Sequence, residues 1–182
     1  MTGLRAPLPA RWGAAPAFAD WLDTVVRHRD VWLAAAARTA IPDDLVARAR
    51  NLAGHWHLLV LTEDWCADAI DAVPVLARLA DCTPALELRC LRRDRNLDLM
   101  DDHLTDGARS IPKLLVYDDA FGERGSWGPR PAELQAWVLR EGKALTSAAR
   151  YEHIHAWHAR DGGRCVVTEV LTVLEQVASG SN

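Results

Sequence analysis

Cys66 is the residue of this 182-residue chain best placed to do chemistry. It follows the near-continuous apolar run 56–61, which has the length of a strand buried on both faces, and precedes apolar positions that recur with helical period up to residue 80. A strand therefore delivers an exposed thiol to the start of a helix, where unpaired backbone N–H groups and the helix dipole favour the thiolate. Because only the thiolate attacks a disulfide, this position suits thiol–disulfide exchange.

Negative charge near Cys66 works against that activation, because nearby like charge disfavours a second anion. Four acidic residues crowd the same turn: Glu63, Asp64, Asp68 and Asp71. The direction of the pKa shift of Cys66 therefore stays open at this point.

The other cysteines, Cys82, Cys90 and Cys165, are too few and too irregularly spaced for a disulfide scaffold, and no C-x-x-C pair is present. Free thiols fit a reducing compartment, so we expect a cytoplasmic protein. The start of the chain lacks an apolar stretch with a small-residue cleavage site, and no apolar run approaches the roughly 18 to 20 residues that cross a bilayer. We therefore expect neither a leader nor a membrane partner.

Charge and histidine spacing exclude two further classes of function. The formal net charge is −4, from 21 Lys and Arg against 25 Asp and Glu, so the basic surface that binds nucleic acid is not expected. His55-x-His57 could place two imidazoles on one strand face, and His153, His155 and His158 form a second group. Neither group has a third ligand at a recognised spacing, so we expect no metal site.

The periodicities predict the element order β-α-β-α-β-β-α after N-terminal helices. This order implies a mixed sheet covered by helices, with the first two strands parallel and the last two antiparallel. The predicted helices and strands are a helical stretch 17–39 that breaks near 28–30, helix 41–52, strand 56–61, helix 66–80, strand 85–91, helix 96–104, strands 113–117 and 123–127, helix 132–140 and helix 165–178, with 141–163 ambiguous.

The chain resembles the thioredoxin superfamily, and more closely a bacterial branch with an extra N-terminal helical region. The motifs that carry the resemblance are Trp65-Cys66 after the first central strand, Pro74 eight positions later, Ile111-Pro112, Asp94-x-Asn96, and Gly128 after the last strand. The resemblance implies a thioredoxin-like three-layer α/β fold, a central mixed sheet flanked by helices with extra N- and C-terminal helices. We expect one structural domain, in which residues 1–54 form a helical extension, 55–142 the core and 143–182 a C-terminal extension.

The motif departs from the dithiol pattern, because Ala69 stands where the resolving cysteine would be. The resemblance then implies a monothiol cycle without a cofactor. Cys66 would form a mixed disulfide with a protein or small disulfide substrate, and glutathione or another low-molecular-weight thiol would release it as co-substrate. A cis Pro112 would face Cys66, and the Ile111 backbone would pair with an extended peptide. The residues expected to line this groove are Trp65, Ala67, Asp68, Ala69, Ile111 and Pro112.

Several alternatives stay open from the sequence. Cys66 could be a relic in a redox-inactive peptide-binding or adaptor protein, so whether the chain is an enzyme is undecided. Cys90 could act as an internal resolving thiol or be an inert core residue. Residues 92–95 could bind an anion or form a solvated charge run, and Arg130 could reach the groove or simply precede the helix that Pro131 begins.

Overall fold

The computed structural model describes residues 7–179, so residues 1–6, where the Pro-rich lead begins, and residues 180–182 lie outside the described part. Short 3-10 turns at Arg93–Arg95 and Gly142–Ala144 accompany the main elements. In chain order these elements are α1 Leu8–Ala14, α2 Phe18–Asp23, α3 Arg29–Arg38, α4 Asp43–Arg50, β1 Trp56–Thr62, α5 Ala67–Asp81, β2 Leu86–Arg92, α6 Leu97–Asp101, β3 Lys113–Tyr117, β4 Glu123–Trp127, α7 Ala132–Arg140, α8 Ser147–Asp161 and α9 Arg164–Ser179. Within residues 7–179 no helix combines the length and the apolar character that crossing a membrane requires.

The four strands form one mixed sheet in the order β2-β1-β3-β4. β1 pairs in parallel with β2 and antiparallel with β3, and β4 pairs antiparallel with β3. Central β1 is almost wholly buried, as its continuous apolar run requires, because helices cover the sheet. The predicted α/β class and the predicted strand directions are therefore confirmed.

The N-terminal helices pack onto the rest of the molecule through tryptophans. Trp12, Trp21 and Trp32 are all buried, and the rings of Trp21 and Trp32 meet edge to face with centroids 4.8 Å apart. Helix α2 packs on β2 and α3 packs on α5. The large aromatic area buried in this way fastens the extension beside the helix that begins after Cys66.

The structure adds two helices to the sequence-based expectation. Helix α1 lies in the Pro-rich lead, where Pro at its first turn is compatible with helix initiation. Helix α8 occupies most of the ambiguous stretch, and its ends carry local signals: the Thr146 side chain accepts a hydrogen bond from the Ala149 N–H, and Gly162 ends it in the left-handed region. The predicted helix 96–104 is shorter than expected, because it follows a 3-10 turn and ends at Asp101.

Candidate functional site

Cys66 caps the N-terminus of α5, directly after the loop that follows β1. Its Sγ atom donates a hydrogen bond to the backbone oxygen of Ile111 over 3.4 Å. The peptide bond between Ile111 and Pro112 is cis, and Lys113 then begins β3. The structure thus brings the cysteine and the proline loop into direct contact, although they are 45 residues apart.

The expectation of an exposed thiol is wrong, because Cys66 is only 6% exposed. Burial raises the pKa of the Cys66 thiol to about 12, and the negative charge of Asp68 adds to that shift. The backbone N–H groups of Ala69 and Asp68 and the cation of Arg130 act in the opposite direction but do not prevail. The pKa shift that the sequence left undecided is therefore upward, and Cys66 is a neutral thiol at pH 7.

A buried ion pair lies beside the thiol. Asp68, 3% exposed, accepts hydrogen bonds from Arg130 Nε over 2.6 Å and from Arg130 Nη2 over 2.5 Å. Arg130 Nη1 also donates to the Gln135 side chain over 2.9 Å. Burial raises the pKa of Asp68, and the guanidinium opposes that rise. Arg130 therefore does more than precede α7, because it pairs with Asp68, a residue that was expected to face a bound peptide.

Two of the other acids near Cys66 hold the preceding loop. The Asp64 carboxylate accepts from the N–H groups of Val26 and Arg27, and its backbone oxygen accepts from the Trp32 indole N–H over 2.9 Å. The Glu63 carboxylate accepts from the Asp94 N–H over 2.8 Å. These carboxylates therefore fix the position of the residues that lead into Cys66.

Trp65 provides an exposed aromatic surface next to the buried thiol. Its side chain lies under the guanidinium of Arg93, whose Cζ is 5.0 Å from the ring centroid, a cation–π contact. Arg93 Nη1 also donates to the backbone oxygen of Arg109 over 2.7 Å, just before the proline loop. These contacts join three residues into one patch, here named the Trp65 surface: Trp65, Arg93 and Arg109.

The charged run 92–95 is only partly solvated, because Arg92 contacts Glu63 at 3.3 Å.

The remaining predicted site residues are mostly buried. Ala69, Ile111 and Pro112 are buried, and Ala67 is partly exposed. Cys90 is fully buried in β2, where it pairs with Val60 of β1, and burial raises the pKa of its thiol. All four cysteines are free thiols. These surroundings favour an inert core role for Cys90 over that of a resolving thiol.

A group of metal-ligating side chains lies at the other end of β1. His55 and His57, which lack a third ligand in the sequence pattern, are joined in space by Asp119 from the β3–β4 turn. In the part of the chain that the structure describes, this is the group of His, Cys, Asp and Glu side chains close enough to share an ion. The sequence spacing could not reveal it, because the third residue comes from another strand end.

Comparisons with known proteins agree with this architecture. The model of a protein family described as Thioredoxin matches residues 15–150. The chain is similar to the crystal structure of a protein of unknown function from Pseudomonas aeruginosa, with 23% identity, a TM-score of 0.73 and coverage of 94% of this chain and 99% of that one. It is also similar to the crystal structure of an HIV epitope-scaffold, with 25% identity, a TM-score of 0.71 and the same coverage. No curated protein matches the sequence.

Proposed function

Because the chain belongs to the thioredoxin family, we propose that it is a thioredoxin-fold binding protein that holds an extended polypeptide beside Cys66, with Cys66 as a neutral thiol. The observation that carries this proposal is that the Cys66 sulfur is buried and hydrogen-bonded. Cys66 is buried, and its hydrogen is donated to the Ile111 backbone oxygen. A thiol held in this way contributes to the shape of the groove and is not poised to attack a disulfide.

The raised pKa of Cys66 leaves little of the thiolate that would attack a disulfide. With a pKa of about 12, the thiolate fraction of Cys66 at pH 7 is on the order of 10⁻⁵, whereas an ordinary thiol with a pKa near 8.5 is a few per cent ionised. Ala69 supplies no second sulfur, and Cys90 is fully buried. Attack on a disulfide by Cys66 and resolution of the mixed disulfide by a second cysteine are therefore both disfavoured.

The Trp65 surface supports the binding role. Trp65 is 37% exposed, which is unusual for a side chain that can bury so much apolar area, and Arg93, which lies over its ring, links it to the loop before Ile111. An extended segment lying along that loop would gain main-chain hydrogen bonds, while one of its apolar side chains packed on the indole ring. Aromatic residues in such positions commonly carry much of the binding energy.

Monothiol exchange is the second candidate, favoured by the backbone N–H groups of Asp68 and Ala69 at the start of α5, which act to lower the pKa of Cys66. In this cycle the Cys66 thiolate attacks one sulfur of a substrate disulfide, forms a mixed disulfide and expels the other sulfur as a thiolate. An external low-molecular-weight thiol such as glutathione then attacks the mixed disulfide, forms a disulfide with the substrate sulfur and returns Cys66 as a thiolate. The cycle requires the Ile111 loop to move, because the sulfur contacts it directly.

Alkylation kinetics separate the two candidates. In a Cys82→Ser, Cys165→Ser background, iodoacetamide labelling of Cys66 is followed against pH by peptide mass spectrometry, with Cys66→Ser as the control that assigns the signal. We expect labelling at pH 7 at least about a hundredfold slower than that of a cysteine peptide, given the pKa difference. We also expect no adduct with oxidised glutathione. Labelling as fast as the peptide, together with an adduct, would favour the monothiol cycle.

Peptide selection tests the binding role directly. Decapeptides selected on the wild-type protein from a displayed random library should bind the Cys66→Ser variant with the same Kd. The Trp65→Ala variant should bind them about tenfold more weakly, which corresponds to about 1.4 kcal/mol. Leu139→Ala removes an exposed apolar side chain on α7 and serves as the matched control that should change nothing. Peptides that require Cys66 but ignore Trp65 would contradict the proposal.

A further inference from the structure

Two imidazoles and one carboxylate converge where β1 begins. Each of His55, His57 and Asp119 offers one ligand atom, and these atoms lie within 4.8 Å of one another. The strand register explains the convergence, because His57 lies opposite Tyr117 in the antiparallel β1–β3 pair. The same register continued by two residues sets His55 opposite Asp119, and His55 Nδ1 is 3.2 Å from Asp119 Oδ1.

The turn that carries Asp119 is held by its neighbour. Asp118 accepts hydrogen bonds from the N–H groups of Ala120 and Gly122 over 2.9 and 2.8 Å, and from Arg124 Nε over 2.7 Å. The backbone at Asp119 is thereby fixed, while its side chain is 75% exposed and contacts only the His55 imidazole among the ion pairs of the described residues. A fixed backbone that presents an exposed carboxylate beside an imidazole is suited to completing a coordination shell.

His57 is the fixed member of the group. Its ring packs against Trp12, with centroids 4.6 Å apart, and against Phe121, which stacks on it at 4.6 Å. His57 Nδ1 is buried and has no hydrogen-bond partner within the described residues, and the nearest carboxylate, that of Glu87, is 3.9 Å away.

We propose that His55, His57 and Asp119 form a binding site for a divalent first-row transition metal ion, with Zn²⁺ as the best-matched ion. Two imidazole nitrogens and a carboxylate oxygen are ligands that Zn²⁺ takes, and three protein ligands leave the fourth tetrahedral position for water or another small ligand. At bond lengths of about 2.0–2.1 Å the ligand atoms of such a site are about 3.3 Å apart. Rotation of the exposed His55 and Asp119 side chains toward the fixed His57 closes the remaining distance.

If the ion is held by Nε2 of His57, the Nδ1–H faces Glu87. Histidines that bind metals usually donate their second ring N–H to a carboxylate or carbonyl, which orients the ring and strengthens the metal–nitrogen bond. The 3.9 Å separation between His57 Nδ1 and the Glu87 carboxylate closes to a hydrogen bond with a small side-chain movement. The buried atom that lacks a partner thus gains one in the metal-bound site.

This site is separate from the Cys66 groove. His57 is the second residue of β1 and Cys66 follows its other end, so the five residue steps from His57 to Thr62 alone set His57 about 17 Å from the end of the strand that leads to Cys66. The ligands include no thiol. Metal binding therefore succeeds or fails independently of the peptide-binding role.

Calorimetric titration of the full reduced chain with ZnCl₂ tests the site, with Co²⁺ absorption spectra to report the ligand type. We expect one equivalent to bind the Cys82→Ser, Cys165→Ser protein, without the charge-transfer band of a thiolate ligand. His55→Gln and Asp119→Asn each change an exposed side chain and should weaken binding by about tenfold or more, since even outer partners of metal ligands contribute 10- to 100-fold. His155→Gln alters a histidine that also contacts a carboxylate, Asp71, and should bind like the parent.

Thermal melting provides a second readout. Because an ion that binds only the folded state stabilises it, a fixed concentration of ZnCl₂ that saturates the parent protein should raise its Tm and should raise the Tm of Asp119→Asn by less. Zn²⁺ binding that persists unchanged in both His55→Gln and Asp119→Asn, or that is lost in His155→Gln, would overturn the proposal. So would the absence of any Zn²⁺-dependent heat and Tm change in the parent.

Discussion

Replacing Asp68 with asparagine should destabilise the fold and activate Cys66 at the same time. Asparagine keeps the shape of the side chain but removes the charge that Arg130 pairs with through two hydrogen bonds. The side chains of Asp68 and Arg130 are 4% and 13% exposed, so the guanidinium would be left largely buried without a counter-charge. Breaking a buried pair in this way costs about 3–5 kcal/mol, and we expect the lower end because Arg130 keeps some contact with water.

The same substitution acts on the thiol through charge. Asp68 is the largest charge that raises the pKa of Cys66, and Arg130 acts in the opposite direction. Asp68→Asn should therefore lower the pKa of Cys66, although burial keeps it above that of a free thiol. The assays are urea unfolding for the stability and iodoacetamide labelling of Cys66 against pH for the thiol.

A surface pair of the same kind gives the matched control. Asp44 accepts from Arg164 Nη1 and Nη2 over 2.8 and 3.0 Å, but both side chains are at least half exposed. Solvent screens such a pair, so Asp44→Asn should cost far less stability than Asp68→Asn. A double-mutant cycle of Asp68→Asn with Arg130→Met isolates the coupling between the two partners. Equal losses in the two Asp→Asn variants, or an unchanged labelling profile of Cys66, would refute the assigned role of burial.

The His155 side chain makes a contact of 2.6 Å with the Asp71 carboxylate, which raises the pKa of His155. This contact stabilises the fold fully below the unfolded-state pKa of about 6.5, and its contribution is lost as pH rises through the higher folded-state pKa. The stability difference between wild type and His155→Gln should therefore decrease as pH rises above 6.5. A difference that stays constant from pH 5 to 9 would contradict this. Gly128→Ala should lower the free energy of unfolding, measured with urea, by about 1–3 kcal/mol or more. The reason is that φ is +111° at Gly128 and the added Cβ would collide with the Pro112 backbone oxygen. Wild-type stability would show that the backbone adapts. Trp32→Phe removes the indole N–H that donates to the backbone oxygen of Asp64, in the loop before Cys66. It should lower the free energy of unfolding by about 1–3 kcal/mol and speed the labelling of Cys66. Unchanged labelling would show that the loop keeps its position without this hydrogen bond.

Much of the secondary structure follows from local patterns. The predicted bounds of β3, β4 and α7 coincide with those observed, because a proline or a turn sequence precedes each of them. The predicted break in the N-terminal helical stretch exists, but it covers residues 24–28, slightly earlier than expected, and ends at His28, which adopts a left-handed conformation. Helix α1 was not predicted, because a short helix rich in proline and alanine has little periodicity to detect.

The surroundings of Cys66 were harder to predict from the sequence. The position of Cys66 at a helix start was expected, but its burial depends on a loop 45 residues away that touches the sulfur. Asp68 and Arg130 are 62 residues apart, and nothing in their local sequences marks them as partners. A charge pattern read along the chain counts nearby acids, whereas the pKa of Cys66 depends on which of them shares its buried space.

The order of elements, the strand that ends before Cys66 and the absence of a second thiol at Ala69 were determined by the sequence alone, because periodicity and motif spacing are local properties of the chain. The tertiary structure decided that Cys66 is a neutral buried thiol, that Arg130 neutralises Asp68, and that Asp119 joins the two histidines. These outcomes depend on burial and on contacts across long stretches of chain. Solvent exclusion and cross-strand register arise only when the sheet and helices have packed together.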